Sequence, residues 1–271
     1  MSYYDYHSPV TTPSPMTYID GGEEYTEVVS SGIRPKNVTI TGHEVQDIDI
    51  EKIVSDELEY LCIEKTHFTV IDLSPLASAI NLKLLIISFN KNLERILFPK
   101  SLESSIKLHH IMIEGNGELE SIESLPKSSS VREYHAPTNN LKSIDFSIFK
   151  SFPSLEVIDL YNNPLWGNYT DRFGYLLERL DRMDHNLVFS LQGIEKIPNL
   201  QKLSIGRYDT ERTGPWMVDI SPLCECKNLQ TVIFPEDSEL VIDKKYEAYF
   251  RRSDWGKAIK QKVIFRYNQR L

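Results

Sequence analysis

The stretch Leu82-Lys-Leu-Leu85-Ile-Ile87-Ser-Phe-Asn90-Lys-Asn-Leu93 sets the fold, because the chain keeps returning to it. With Leu82 as position 1, apolar residues stand at positions 1, 4 and 6. An asparagine stands at 9, and another apolar residue follows two or three places later. The same pattern opens at Leu58, Leu108, Val131 and Leu155, at intervals of 23 to 26 residues. Position 9 reads Thr66, Asn90, Asn116, Asn139 and Asn163 in turn, and the apolar residue after it reads Phe68, Leu93, Leu119, Leu141 and Leu165. A fixed period of this length implies stacked rungs, each burying its apolar edge against the next.

The chemistry of each position follows from the strand period of two. Positions 4 and 6 share one face, which is the interior, while 3, 5 and 7 point the other way. Position 9 lies where the chain turns away, and an asparagine amide can satisfy backbone groups that the bend leaves unpaired. The return segments have their own signature. Ile71-Asp-Leu-Ser-Pro-Leu76 and Val218-Asp-Ile-Ser-Pro-Leu223 place Ser before Pro, and Ile144-Asp-Phe-Ser-Ile-Phe149 is a looser version. Ser followed by Pro predicts a short helical start, with the hydroxyl capping free amides and Pro filling a position whose amide has no partner.

Outward from this core the pattern weakens. A first rung is expected near Pro35, with Val38 and Ile40 at positions 4 and 6, and later rungs at Leu200-Gln-Lys-Leu203-Ser-Ile205 and Leu229-Gln-Thr-Val232-Ile-Phe234, about eight in all. Residues 187–199 read as a degenerate rung. Residues 168–185 predict a helix, because Phe173, Leu176, Leu177 and Leu180 make one apolar stripe. The predicted organisation is a mobile arm over 1–34, repeats over 35–242 with an irregular helical insertion at about 166–199, and a basic C-terminal cap over 243–271. That last stretch carries nine Lys/Arg against three Asp/Glu, about +6 in a chain of net charge −9. A stack of rungs needs its open end covered, so a cap is the first reading of it.

These residues resemble the leucine-rich repeat family. The Ile71-Asp-Leu-Ser-Pro-Leu76 form, with its Asn-Leu, is similar to internalin-type and archaeal-type leucine-rich repeats. The resemblance covers roughly residues 35–242. It implies an α/β fold: a curved solenoid with a parallel sheet on the concave face and short helices or 3-10 turns on the convex face. It also implies a role in binding proteins, without naming a partner.

Composition narrows the function. Net charge −9 and a pI near 5.3 disfavour a general nucleic-acid binder. No run of about eighteen apolar residues predicts a membrane-spanning helix. Cys62, Cys224 and Cys226 are too few and too uneven for a disulfide framework. With no secretory signal at Met1-Ser-Tyr-Tyr-Asp-Tyr-His7, a cytoplasmic protein is expected. The glycosylation patterns at Asn37-Val-Thr39 and Asn168-Tyr-Thr170 are then coincidental.

The expected function is a protein–protein interaction module, a scaffold, adaptor or regulatory subunit without catalytic activity or cofactor. Its partner-binding residues are the outward positions Tyr60, Cys62, Leu84, Ile86, His110, Met112, Glu133, His135, Val157 and Tyr161. In adjacent parallel strands equal positions form lateral rows: Cys62, Ile86, Met112, His135 beside Tyr60, Leu84, His110, Glu133. Burying some 300 Å² of such a patch returns roughly 7 kcal/mol before the cost of association. The alternatives are a membrane or RNA adaptor using the basic C-terminal segment, and a thiol or histidine enzyme built on Cys62, His110 or His135. His109 and His110 face opposite sides of a strand, so they do not readily share a metal. Cys226 falls in register with Ala79 and Phe152 and is expected to fill the core.

Overall fold

The computed structural model of the chain describes residues 17–20, 22–42, 49–165, 188–206, 217–235 and 238–266. Fifteen short strands follow one another: β1 (Thr17–Asp20), β2 (Asn37–Thr41), β3 (Tyr60–Glu64), β4 (Val70–Asp72), β5 (Leu84–Ser88), β6 (Arg95–Leu97), β7 (His110–Glu114), β8 (Glu133–His135), β9 (Val157–Asp159), β10 (Val188–Ser190), β11 (Lys202–Ser204), β12 (Met217–Asp219), β13 (Thr231–Ile233), β14 (Glu239–Asp243) and β15 (Lys262–Arg266). Among the described residues three α-helices accompany these fifteen strands, α1 (Gly22–Ser31), α2 (Glu247–Phe250) and α3 (Asp254–Ala258).

Nine of the strands form one open sheet in the order β1-β2-β3-β5-β7-β8-β9-β11-β13, and every pair in it is parallel. Neighbours in the sheet are successive rungs, and equal template positions lie opposite one another: Leu61, Leu85, Ile111, Tyr134, Ile158 and Leu203 follow in one line of partners. All six are fully buried, as are Ile63, Ile87, Ile113, Leu160 and Ile205 at position 6. Each such side chain contributes roughly 1.5–3 kcal/mol by leaving water. The insertion expected at about 166–199 does not interrupt the sheet, since β9 pairs directly with β11.

The returns differ along the chain. β4 pairs with β6 early on, and β10-β12-β14-β15 form a second parallel sheet later. Residues 188–190, expected in a degenerate rung, belong to this return sheet and pair with β12. Short 3-10 helices complete the returns at Ile50–Lys52, Ser74–Ser78, Phe146–Ser151, Ile194–Lys196 and Ser221–Glu225. The cap chemistry differs from expectation. No serine hydroxyl caps the helices that start at Ser74 and Ser221. The aspartate two residues earlier accepts instead: Asp72, Asp145 and Asp219 take the amides of Ser74, Ser147 and Ser221 at 2.8, 2.8 and 2.9 Å. A carboxylate is the stronger acceptor, so in these three returns the capping residue is the Asp rather than the Ser of Ser-Pro.

A buried ladder of side chains runs along the turns. Asn90 Oδ1 accepts from the amide and hydroxyl of Thr66, at 3.0 and 2.7 Å. Asn116 Oδ1 accepts from the amide and Nδ2 of Asn90, both at 3.1 Å, and Asn139 Oδ1 from those of Asn116, at 2.9 and 3.0 Å. Each amide nitrogen also donates to a carbonyl of the preceding rung, Asn90 to Ile63, Asn116 to Ile87 and Asn139 to Ile113. One residue before the ladder, position 8 is left-handed in every rung from the second strand to the ninth: Gly42, Lys65, Phe89, Gly115, Thr138 and Asn162 all have positive φ.

Both ends of the chain add elements to the stack that the repeat template does not describe. Residues 17–20 and 22–31, placed by their sequence in a mobile arm, supply the edge strand β1 and the helix α1. β1 pairs with β2 over four residues and buries Ile19 fully. A four-residue strand with one inward apolar residue is too short to show a period. The helix expected over 168–185 lies outside the described residues. At the other end, Phe250 and Trp255 are buried in the core shared by all rungs, and α3 packs beside β13.

Candidate binding surface

The outer face of the sheet is built by positions 3, 5 and 7, and the pairing brings the expected residues together in rows. Tyr60, Leu84, His110, Glu133, Val157 and Lys202 are successive partners. Cys62, Ile86, Met112, His135, Asp159 and Ser204 form the row beside it. Tyr161 lies two residues beyond Asp159 on the same rung and is half-buried.

The rows are not uniformly open. Leu84, Ile86, His110, Met112, Glu133, His135 and Val157 are half-buried, which leaves apolar surface at β5 and β7 facing outward. Tyr60 and Cys62, expected in the same exposed patch, are buried at 8% and 4% exposure. A row partner does not tell how much neighbouring side chains shade a residue, and these two are shaded. Burial and the nearby Glu64 carboxylate push the Cys62 thiol up to about 12. It is therefore a thiol at neutral pH, and a thiol is a poor nucleophile. Cys224 and Cys226 are likewise buried, free and pushed up to about 12.

Towards β8 and β9 the apolar face gives way to an ionisable network. Glu133 Oε2 lies 3.2 Å from His110 Nδ1 and 3.1 Å from His135 Nε2. The other nitrogen of His135, Nδ1, lies 3.8 Å from Asp159 Oδ2. Asp159 is buried and accepts the Tyr161 amide through Oδ1 at 3.0 Å. Next in the row, Ser204 is fully buried, and its hydroxyl has no hydrogen-bond partner among the described residues. Burial works against the charged forms of both His135 and Glu133, but their mutual contacts outweigh it. Asp159 and Glu133 raise His135 above the ordinary imidazole value, and His135 with His110 holds Glu133 below the usual carboxylate range.

The sequence paired His110 with Glu133 but did not connect Asp159 to them. The signal was present: Asp159 occupies position 5, the place of His135, one strand further on. Among the described residues no group of three or more His, Cys, Asp or Glu could hold a metal ion. No helix among them is long and apolar enough to cross a membrane. The basic C-terminal segment spends much of its charge internally. Lys244 and Arg251 pair with Glu247, Lys245 with Asp243, Lys257 with Asp254 and Lys262 with Glu239.

No family model matches the sequence, and no curated protein matches it. Among solved structures the chain is similar to the plant peptide hormone receptor RGFR1 in complex with RGF2, at 14% sequence identity and a TM-score of 0.39. The likeness covers 83% of this chain and 33% of that one, so the chain spans about a third of the receptor's length.

Proposed function

We propose that this chain is a leucine-rich-repeat binding module without catalytic activity, which receives a segment of another protein on the outer face of its nine-stranded sheet. The observation that carries this is the register of Leu84, Ile86, Met112 and Val157. Leu84, Ile86 and Met112 hold half-exposed apolar side chains together on the neighbouring strands β5 and β7, with Val157 two strands beyond on β9, where the solvent-facing positions of a sheet are ordinarily polar. The contact set is Leu84, Ile86, His110, Met112, Glu133, His135, Val157 and Tyr161. Tyr60 and Cys62 act as the floor beside it rather than as contacts.

The test is parallel affinity capture from the native cell with three proteins: wild type, Ile86→Asp with Met112→Asp, and Ile106→Asp as a control at a residue 69% exposed. A protein retained by wild type and the control but lost from the folded double variant supports the reading. Equal retention by all three refutes this face as the site.

A further inference from the structure

The outer face has two chemically different halves. Leu84, Ile86 and Met112 make an apolar half on β5 and β7. Glu133, His135 and Asp159, with His110 at their edge, make an acid–imidazole half on β8 and β9. Carboxylates dominate the charge of the face. Glu64, Glu114, Glu133 and Asp159 occupy its outward positions, against Lys202 among the described strand residues.

Hydrogen-bond capacity decides what the acidic half takes. Neutral imidazole has a single N–H, whereas imidazolium has two. His135 stands between Glu133 at 3.1 Å and Asp159 at 3.8 Å. Neutral, it can donate to one of them and must turn a lone pair towards the other. Protonated, it donates to Glu133 and presents its positive charge to Asp159 at ion-pair distance. Among the described residues the two carboxylates have only His110 and His135 within ion-pair distance, so with His135 neutral they hold a place for a positive charge. Glu133 keeps about a third of its side chain exposed, which gives an incoming cation access.

We propose that the partner segment is extended and carries a lysine or arginine, which sits on the half-exposed Glu133 with the buried Asp159 charge behind it, together with an aliphatic or aromatic residue that sits on Ile86 and Met112. This rests on the binding reading above and specifies the chemistry of the partner. The two halves are two strands apart, roughly 10 Å at the ordinary strand spacing. An extended chain covers that distance in about three residues. The cation and the proton on His135 compete for the same carboxylates, so binding releases a proton and strengthens as the pH rises. The titratable and charged groups around His135 are Glu133 on its own strand, His110 and Glu114 on β7, and Asp159 and Tyr161 from the β9 rung. Lys202 lies one strand further. Anionic partners such as RNA or acidic lipid are disfavoured by the same carboxylates.

The experiment pans a random dodecapeptide phage library against the full chain at pH 8. The enriched peptides are then measured by fluorescence anisotropy at pH 8 and pH 5.5. The expected consensus has Lys or Arg three to four residues from Leu, Ile, Met or Phe. Affinity is expected to fall at least tenfold at pH 5.5, and to fall similarly at pH 8 in Glu133→Gln. His135→Gln should remove most of the pH dependence. Asp159→Asn, checked for folding by circular dichroism, is the second acidic variant. A consensus that is apolar without a cation, or a pH-independent affinity, overturns this inference and leaves the binding face standing. Enrichment that survives in the Ile86→Asp/Met112→Asp protein overturns the binding face itself. No enrichment on the wild-type chain overturns both.

Discussion

Replacing Asn116 by alanine probes the buried ladder at its centre. Asn116 Oδ1 accepts from the amide and Nδ2 of Asn90, and its Nδ2 donates to the Ile87 carbonyl at 3.1 Å and to Asn139 Oδ1 at 3.0 Å. The substitution removes all four bonds but does not strand every partner. Asn90 Nδ2 keeps the Ile63 carbonyl, and Asn139 Oδ1 keeps the Asn116 backbone amide. The Asn90 amide and the Ile87 carbonyl lose their ladder partner in a fully buried site. Each buried group deprived of its partner costs about 1–3 kcal/mol, so the total is about 2–6 kcal/mol. Thr66 ends the ladder, and Thr66→Val is the control. It deletes only the 2.7 Å hydroxyl bond to Asn90 Oδ1, which still accepts the Thr66 amide, and should cost about 0.5–1.5 kcal/mol. Urea unfolding followed by circular dichroism compares the two. With a slope of about 3 kcal/mol/M, the midpoint falls by about 0.7–2 M for Asn116→Ala and by less than about 0.5 M for Thr66→Val. If Asn116→Ala unfolds at or above the midpoint of Thr66→Val, the ladder is not what holds the turns and the reasoning fails.

Two further outcomes test the turn and the outer face. Gly115 has φ 68°, and a Cβ built there lies 2.6 Å from the Phe89 ring. Gly115→Ala should destabilise the chain by about 1–2 kcal/mol in urea unfolding. Part of that cost should vanish in a Phe89→Ala background, so strictly additive effects would refute the ring contact. His135 is raised above its ordinary value on folding, so its contribution to stability is fully present below about pH 6.5 and is lost as pH rises through the folded value. The stability difference between wild type and His135→Gln should therefore shrink from pH 5.5 to pH 8.5, and a difference that does not change with pH would refute the network.

The inner half of this fold was legible because the same physical task recurs. Leu85, Ile111 and Ile158 answer one question, which side chain fills the space beneath a strand, and so they repeat. Asn90, Asn116 and Asn139 repeat because each rung leaves the same backbone groups unpaired at its bend. What stayed hidden depended on a single rung or on an element without a period. β1 and α1 carry no repeat signature. The return strands β10 and β12 are three residues each, too short for alternation to mark them. The aspartate caps were in plain view at Asp72, Asp145 and Asp219, but the Ser-Pro beside two of them drew the capping role to the wrong residue.

The outer face obeys the opposite logic, and that is why its residues identify a candidate site. Positions 3 and 5 have no shared structural task, so whatever stands there is set by something other than the repeat. Along position 5 the row passes through a buried thiol, two apolar residues, an imidazole and a buried carboxylate. Asp159 is the most informative of these. A carboxylate that is 3% exposed carries a desolvation cost that a small polar or apolar residue would avoid, and the rungs on either side of it manage with His135 and Ser204. The Tyr161 amide and His135 offset part of that cost locally. Packing alone does not require a charge at that position. The charge is accounted for on the proposed reading, in which the row holds a cation, either the proton on His135 or the partner side chain that displaces it.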